Sequence, residues 1–312
     1  MSPDVAASVK ARLLAKAKAK GEEFERTLTR FAAERLLYRL GVSPARERCV
    51  LKGASLLSAW MSDPYRVTRD VDLLAFGPSD DDAIRTLLED INAIPCPEDG
   101  LRFDLSELRI EVIRPEEEYS GKRAHFLAFL GSARIKVQVD VGFGDALVTQ
   151  PEDAHFPTLL EHLPAPRLRA YPREASVAEK FEAMVKLDTR NSRMKDFHDV
   201  WALATSFDFD GRGLQRAIAA CFERRGTPWT AEAPRPLTSA FYHIPELAAR
   251  WRSYLAAGAV LVPPPTQFEV IGERIIGFLG PVRQSLVDGR PFGSSWAPPG
   301  PWQAQGAAET SR

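Results

Sequence analysis

The chain has 312 residues, 45% hydrophobic and 27% charged, enough apolar material for a sizeable core in two lobes or in one domain with a substantial extension, which excludes disorder as the default. Lysine and arginine number 41 against 42 aspartates and glutamates, so no overall field marks a nucleic-acid or membrane partner, although a local basic surface stays open. The three cysteines, Cys49, Cys96 and Cys221, are odd in number and lack zinc-like spacing, which excludes a disulfide framework and suits a reducing compartment.

The opening MSPDVAASVKARLLAKAKAK alternates basic and small residues without the apolar run of a signal peptide or membrane span, so the expected location is the cytoplasm, with no membrane partner. From Val5 to Leu40, apolar residues recur at helical spacing (Val9, Leu13, Phe24, Leu28, Phe31, Leu36), and Gly21 divides the run into two helices. A short CVLKG strand and turn follows, then a helix over residues 54–61, then DVDLLAF, whose β-branched and aromatic content predicts a strand. Ser79 stands where it can cap the next helix, DDDAIRTLLEDINAI, which is acidic in its first turn and carries Ile84, Leu87, Leu88 and Ile91 on one face. LRFDLSELRIEVI, AHFLAFL and ARIKVQVDVGF predict further strands, with a hairpin turn at Gly131-Ser132 and a turn residue at Asp145. Beyond the proline-rich stretch from Pro157 to Pro172 the pattern is helical, through SVAEKFEAMVKL, KDFHDVWALATSF, GLQRAIAACFERR, PELAARWRSYLAAGAVL and, after Pro263-Pro264-Pro265, FEVIGERIIGFLGPVRQSLV. There is no internal repeat. The expected organisation is α+β: an N-terminal helical segment over 1–46, a core of mixed β-sheet with flanking helices over 47–150, a helical lobe over 151–288, and a Gly-, Pro-, Ser- and Ala-rich tail over 289–312 expected to be disordered.

Side chains two apart on a strand share a face, so Asp70 and Asp72 in RDVDLL present their carboxylates together while Val71 and Leu73 face the other way. Two such charges repel unless a cation lies between them, and Mg²⁺ takes a few carboxylates together with phosphate oxygens. Asp140 lies in another strand, on the face of Lys136 and Gln138 opposite Val137, Val139 and Val141. If the two strands are neighbours, three carboxylates can hold two metal ions roughly 3.5–4 Å apart, the separation used in phosphoryl and nucleotidyl transfer. The plain alternative is a solvated Asp-x-Asp at a strand end. Upstream, Lys52-Gly53-Ala54-Ser55 joins a strand to a helix, where small residues let backbone N–H groups approach a phosphate chain and Ser55 adds a hydroxyl. Arg66 and Arg69 read as salt-bridge partners of the carboxylates or, for Arg66, as a nucleotide contact. His125, His198 and His243 have no ligand spacing and suggest no zinc site.

Together these residues resemble the nucleotidyltransferase superfamily of the DNA polymerase β type and, more narrowly, its AbiEii/AbiGii toxin family. The family's Arg-x-Thr-x-Asp-x-Asp run reads Arg66-Val67-Thr68-Arg69-Asp70-Val71-Asp72, and Asp140 takes the third acidic place. A helical lysine corresponds to Lys180 in AEKFEAMVKL, and the Arg-x-Lys-Asp-x-x-Asp motif to Arg193, Lys195, Asp196 and Asp199. The likeness spans about Val50 to Ala204, with Ala54 in place of a frequent second glycine and no arginine at the usual place after Lys180, where Lys186 or Arg190 could substitute.

The resemblance implies a nucleotidyltransferase-like fold and transfer of a nucleoside monophosphate from a nucleoside triphosphate. In-line attack by an acceptor hydroxyl would use two Mg²⁺ ions held by Asp70, Asp72 and Asp140. It also implies a toxin of a toxin–antitoxin (abortive infection) system, with a tRNA 3′ end as acceptor and a cognate antitoxin as partner. A small-molecule or protein acceptor, and a non-catalytic nucleotide-binding module, are the alternatives. Lys180 would reach across a cleft to the triphosphate and Asp196 would orient Lys180 or Arg193, making Lys180 and Asp196 catalytic, with Lys52, Gly53, Ser55, Arg66, Lys180, Arg193, Lys195 and Asp199 on the nucleotide. Candidate RNA contacts are Lys10, Arg12, Lys16, Lys18 and Lys20 on the first helix, and Arg212, Arg216, Arg224 and Arg225.

Overall fold

The computed structural model describes residues 4–61, 70–113, 121–144, 147, 148, 150–257, 260 and 262–304, with Ser58 described by its backbone alone. It divides into two compact units, Met1–Asp145 with Pro151–Tyr171, and Ala146–Gln150 with Pro172–Arg312.

In the first unit, Asp4 accepts a hydrogen bond from the Ala7 N–H at 3.0 Å and starts α1 (Val5–Lys20). Gly21 ends it in the left-handed region (φ 63°), where its N–H reaches back to the Ala17 and Lys18 carbonyls, and α2 (Phe24–Val42) follows. The next elements are β1 (Cys49–Lys52), α3 (Ser55–Trp60), β2 (Val71–Ala75), α4 (Asp81–Asn92), β3 (Leu101–Ile113), β4 (Gly121–Leu130), β5 (Ala133–Phe143), β6 (Glu152–His155) and β7 (Arg167–Ala170). Among the described residues they build a mixed sheet in the order β3-β4-β5-β2-β1-β7-β6, parallel at β2/β5 and β1/β7 and antiparallel elsewhere. The fold is α+β with a mixed sheet and flanking helices, as expected. The Gly131-Ser132 turn joins β4 to β5 as an antiparallel hairpin. Alternation buries Phe126, Ala128, Ile135, Val137, Val139 and Val141 on one sheet face, where α2 packs on β5 and α4 on β3 and β4.

Three expectations change here. The cap of α4 is Asp80, not Ser79: its carboxylate accepts the Ala83 N–H at 2.8 Å. The helices of 1–46 and the segment 151–171 belong with the sheet, because α1 and α2 pack on it and β7 adds to β1. Asp70 precedes the strand, which begins at Val71.

The segment carrying β6 and β7 is pinned to α1 and α2 by polar contacts to its backbone. Glu34, 1% exposed, accepts the Leu159 N–H at 2.6 Å, Arg35 donates to the Pro164 carbonyl at 2.8 Å, and Lys16 donates to the Leu159 carbonyl at 2.7 Å. Burial pushes the Glu34 carboxyl up to about 7, against the Leu159 hydrogen bond and the charges of Arg35, Arg30 and Lys16. Elsewhere, the three cysteines are buried free thiols, and burial raises Cys49 and Cys96 to about 12.

The second unit contains α5 (Arg173–Leu187), α6 (Met194–Ser206), β8 (Phe209–Asp210), α7 (Gly211–Arg224), α8 (Ser239–Tyr242), α9 (Pro245–Ala256), α10 (Phe268–Val287), β9 (Ser294–Trp296) and β10 (Trp302–Ala304). Phe197, Trp251 and Phe268 are fully buried at its centre, with Phe197 and Phe268 edge to face at 5.3 Å. The expectation of a disordered tail fails over 289–304. β9 pairs with β8 and β10, the Trp296 ring lies 4.9 Å from Phe278, and its indole N–H donates to the Ala204 carbonyl at 2.7 Å. The tryptophans bury enough surface to order a segment whose remaining composition favours coil. No helix among the described residues is long and apolar enough to cross a membrane.

Because the folded-state pKa of Glu34 lies above its ordinary 4.5, the ionised form costs stability as pH rises from about 4.5 through 7, by about 3 kcal/mol at most. Glu34→Gln should therefore gain in melting temperature relative to the parent between pH 5 and pH 8; a difference that does not change with pH would refute this. Trp296→Ala should destabilise by about 3–5 kcal/mol, read by denaturant unfolding.

Candidate active site

One row of side chains crosses five neighbouring strands. Register pairs Lys52 (β1) with Asp72 (β2), Asp72 with Asp140 (β5), Asp140 with Arg123 (β4), and Arg123 with Glu111 (β3). Residues paired in this way share a sheet face, so two carboxylates stand side by side in the middle of the row with a cation on each flank.

Gly53 sets the near edge of this row. Its φ is 69°, and a Cβ there would lie 2.1 Å from Asp72 Oδ2, so the backbone passes against the carboxylate where any side chain would fill the space. Ser55 is 3% exposed and donates from its hydroxyl to the Asp70 carbonyl at 3.2 Å, which ties the start of α3 to the residue before β2. The Lys52 ammonium lies 5.6 Å from the centre of the Tyr171 ring. At the far edge, Arg123 holds Asp140 in a two-point pair, Nε to Oδ1 at 2.8 Å and a terminal nitrogen to Oδ2 at 2.7 Å, while Gln138 donates to Oδ1 at 3.1 Å. The hydrogen bond to Asp140, against the effect of burial and together with the charges of Asp140, Asp70 and Glu111, raises the Arg123 guanidinium above its ordinary value.

Asp70, Asp72 and Asp140 offer hard oxygen donors without sulfur or imidazole, a set that suits Mg²⁺. Among the described residues, no three acidic, histidine or cysteine side chains are gathered tightly enough to hold an ion alone. Asp140 Oδ1 already accepts two hydrogen bonds and Oδ2 one, so the remaining acceptor capacity lies mainly on Oδ2. Mg²⁺ keeps waters and takes phosphate oxygens, needing only one or two carboxylates, and so it fits the row.

The second unit holds a separate cluster. Lys180 on α5 reaches Asp199 at 2.7 Å and Asp196 at 3.5 Å on α6, and Arg193 reaches Asp196 at 2.7 Å. Both aspartates are fully buried, Lys180 is 12% exposed and Arg193 34%. The three-residue spacing on α6 turns Asp196 and Asp199 to one face, while Lys195 is exposed. Arg66 and Arg69 lie outside the described residues, as does Asp145. His198 shares a 2.8 Å contact with the Tyr254 hydroxyl, and His125 and His243 sit beside Glu111 and Glu269.

The family model described as nucleotidyl transferase AbiEii toxin, type IV TA system, matches residues 35–274. The chain belongs to the AbiEii family of nucleotidyltransferase toxins. It is therefore a nucleotidyltransferase toxin of a type IV toxin–antitoxin system, a class that implies a nucleoside triphosphate substrate and an antitoxin partner. Its fold is similar to that of MenT4, the nucleotidyltransferase toxin Rv2826c from Mycobacterium tuberculosis H37Rv, with a TM-score of 0.55 and 20% identity over 88% of this chain and 89% of that one. A second solved structure, JHP933 from Helicobacter pylori, aligns at 12% identity with a TM-score of 0.45, covering 81% of this chain and 93% of that one. No curated protein matches the chain.

Sequence reasoning did not identify Arg123. The signal was the hairpin turn. From the Leu130–Ala133 pair, seven residues back along β4 and seven on along β5 meet at Arg123 and Asp140. For an AbiEii chain with this row, Gly53→Ala should displace the Asp72 carboxylate and lower nucleotidyl transfer about 100-fold or more, at a folding cost above the ~1–2 kcal/mol of the left-handed backbone alone, since the new Cβ would also lie 2.7 Å from Asp72 Cβ. Initial rates and thermal melts on the same preparation check it; transfer retained within a few fold would contradict the close approach.

Proposed function

We propose that this toxin transfers a nucleoside monophosphate from a nucleoside triphosphate to the 3′ hydroxyl of a tRNA, in a reaction dependent on Mg²⁺. The observation that carries the Mg²⁺-dependent transfer is the Asp72–Asp140 register pair, and the tRNA acceptor is what the likeness to the AbiEii family implies. Like charges directly opposite one another on neighbouring strands destabilise a sheet, and this juxtaposition is relieved when a cation joins them.

Asp70, Asp72 and Asp140 would hold two Mg²⁺ ions. When bound, these ions supply Lewis-acid activation of the acceptor hydroxyl and charge neutralisation for departing pyrophosphate. The remaining steps belong to the side chains. Arg123 and Gln138 fix the rotamer of Asp140, so that carboxylate needs no reorganisation when substrate arrives. Gly53 lets the backbone turn directly against the Asp72 carboxylate, and Lys52 and Ser55 border the same turn. Lys180, Arg193 and Lys195 are assigned to the nucleotide by their places in the helical-lysine and Arg-x-Lys-Asp-x-x-Asp motifs, and within the second unit Asp199 and Asp196 pair with Lys180 and Asp196 with Arg193. Arg66 is assigned to the nucleotide by its place in the Arg-x-Thr-x-Asp-x-Asp run.

The test is incubation of the purified chain with Mg²⁺, each α-labelled nucleoside triphosphate and total tRNA, beside Asp70→Ala and Asp72→Ala variants. Removing a metal-holding carboxylate should forfeit several kcal/mol of transition-state stabilisation, about 1,000-fold in rate. Label on tRNA that disappears with either variant is the expected result. Absence of label with all four triphosphates, or label that persists in both variants, would overturn the reading.

A further inference from the structure

Among the described residues, the sheet face that carries Asp140 continues beyond the row with exposed side chains. Facing strands continue in register away from Arg123–Asp140: His125 with Gln138, Leu127 with Lys136, then Phe129 with Arg134. On the edge strand, Arg109 stands beside His125 and Arg102 beside Phe129. Arg102, Arg109, Arg134 and Lys136 are exposed, and Phe129 is half-buried with the Arg102 guanidinium 4.6 Å over its ring. Asp104 and Glu111 offset part of this charge, the first 3.4 Å from Arg102 and the second 3.4 Å from His125. From Asp140 to Arg134 along β5 is six residues, about 20 Å.

A chain whose formal net charge is −1 thus gathers exposed cations on the one sheet face that runs directly into its carboxylate row. Cations interleaved with an aromatic ring and a stacked guanidinium are the chemistry of single-stranded nucleic acid binding, with phosphates on the charges and bases on the flat groups. We propose that the open face of β3, β4 and β5 is the track for a single-stranded RNA end, with its phosphates on Arg102, Arg109, Arg134 and Lys136, a base against the Arg102–Phe129 stack, and its terminal hydroxyl directed toward Asp140. The proposal rests on RNA being the acceptor and adds where that RNA lies. It places the track on the sheet and not on the basic α1.

Binding is separable from transfer, so the test measures both. Fluorescence anisotropy of a single-stranded RNA oligonucleotide with the full chain, over a salt series, compares the parent with Arg102→Gln/Arg134→Gln/Lys136→Gln and with Lys18→Gln/Lys20→Gln on α1. The sheet variant should bind about 10-fold or more weakly, with a salt slope smaller by about 2, since each single-strand phosphate contact contributes about 0.7. The α1 variant should stay within about twofold. Circular dichroism melts confirm folding, and Arg134→Gln alone, with a slope change of about 0.7, serves if the triple variant is unstable. Unchanged affinity in the sheet variant, a larger loss in the α1 variant, or no RNA binding by the parent each overturns the track. RNA that binds on this face yet takes no label from the parent would leave the track standing and refute RNA as the acceptor.

Discussion

The pairing of Asp72 with Asp140 on parallel strands is the constraint around which the first unit is arranged. A sheet places side chains every other residue on one face and strands about 4.8 Å apart, so neighbouring strands in register bring two carboxylates together without any loop having to do so. The rest of the row contains that repulsion. Lys52 flanks one side, Arg123 neutralises the other through two hydrogen bonds, and Gln138 fills a remaining acceptor position on Asp140. Gly53 then allows the chain to turn within touching distance of Asp72. The centre of the row is thus built on strands and bordered on one side by a turn.

The cluster of the second unit obeys a different rule. Lys180, Arg193, Asp196 and Asp199 form a balanced set of charges around two fully buried carboxylates. Breaking a buried ion pair by removing one partner costs about 3–5 kcal/mol because the other is left uncompensated. Truncating Lys180 would therefore cost folding whatever else it does, whereas Lys195 is exposed and carries less structural interference.

Much of this architecture could be read from the sequence where short-range chemistry dictates it. The period of Ile84, Leu87, Leu88 and Ile91 located α4, Gly21 located a helix end, Gly131-Ser132 located the hairpin, and the alternation of Lys136, Gln138 and Asp140 located the open face. What escaped depends on distant partners. β7 is four residues between prolines and becomes a strand by pairing along its length with β6 and by joining β1, more than a hundred residues earlier, at Leu51–Ala170. β9 and β10 are ordered by Trp296 and Trp302 against Phe278. Composition there favours coil, and packing decides otherwise. Arg123 escaped for the same reason, since a lone arginine in GKRAHFLAFL acquires meaning only from the residue opposite it.

The β4–β5 hairpin gives an exposed turn an unusual evolutionary burden. Asp140 reaches Asp72 through the β2/β5 pairing, but it reaches Arg123 only through the count of residues around Gly131-Ser132. An insertion or deletion of one residue in that turn would slide β4 by one place and reverse the facing of its side chains, turning Arg123 toward the core while Asp72 and Asp140 stayed together. Surface turns ordinarily drift in length among relatives; in lineages that keep this row, the length of this one should drift least.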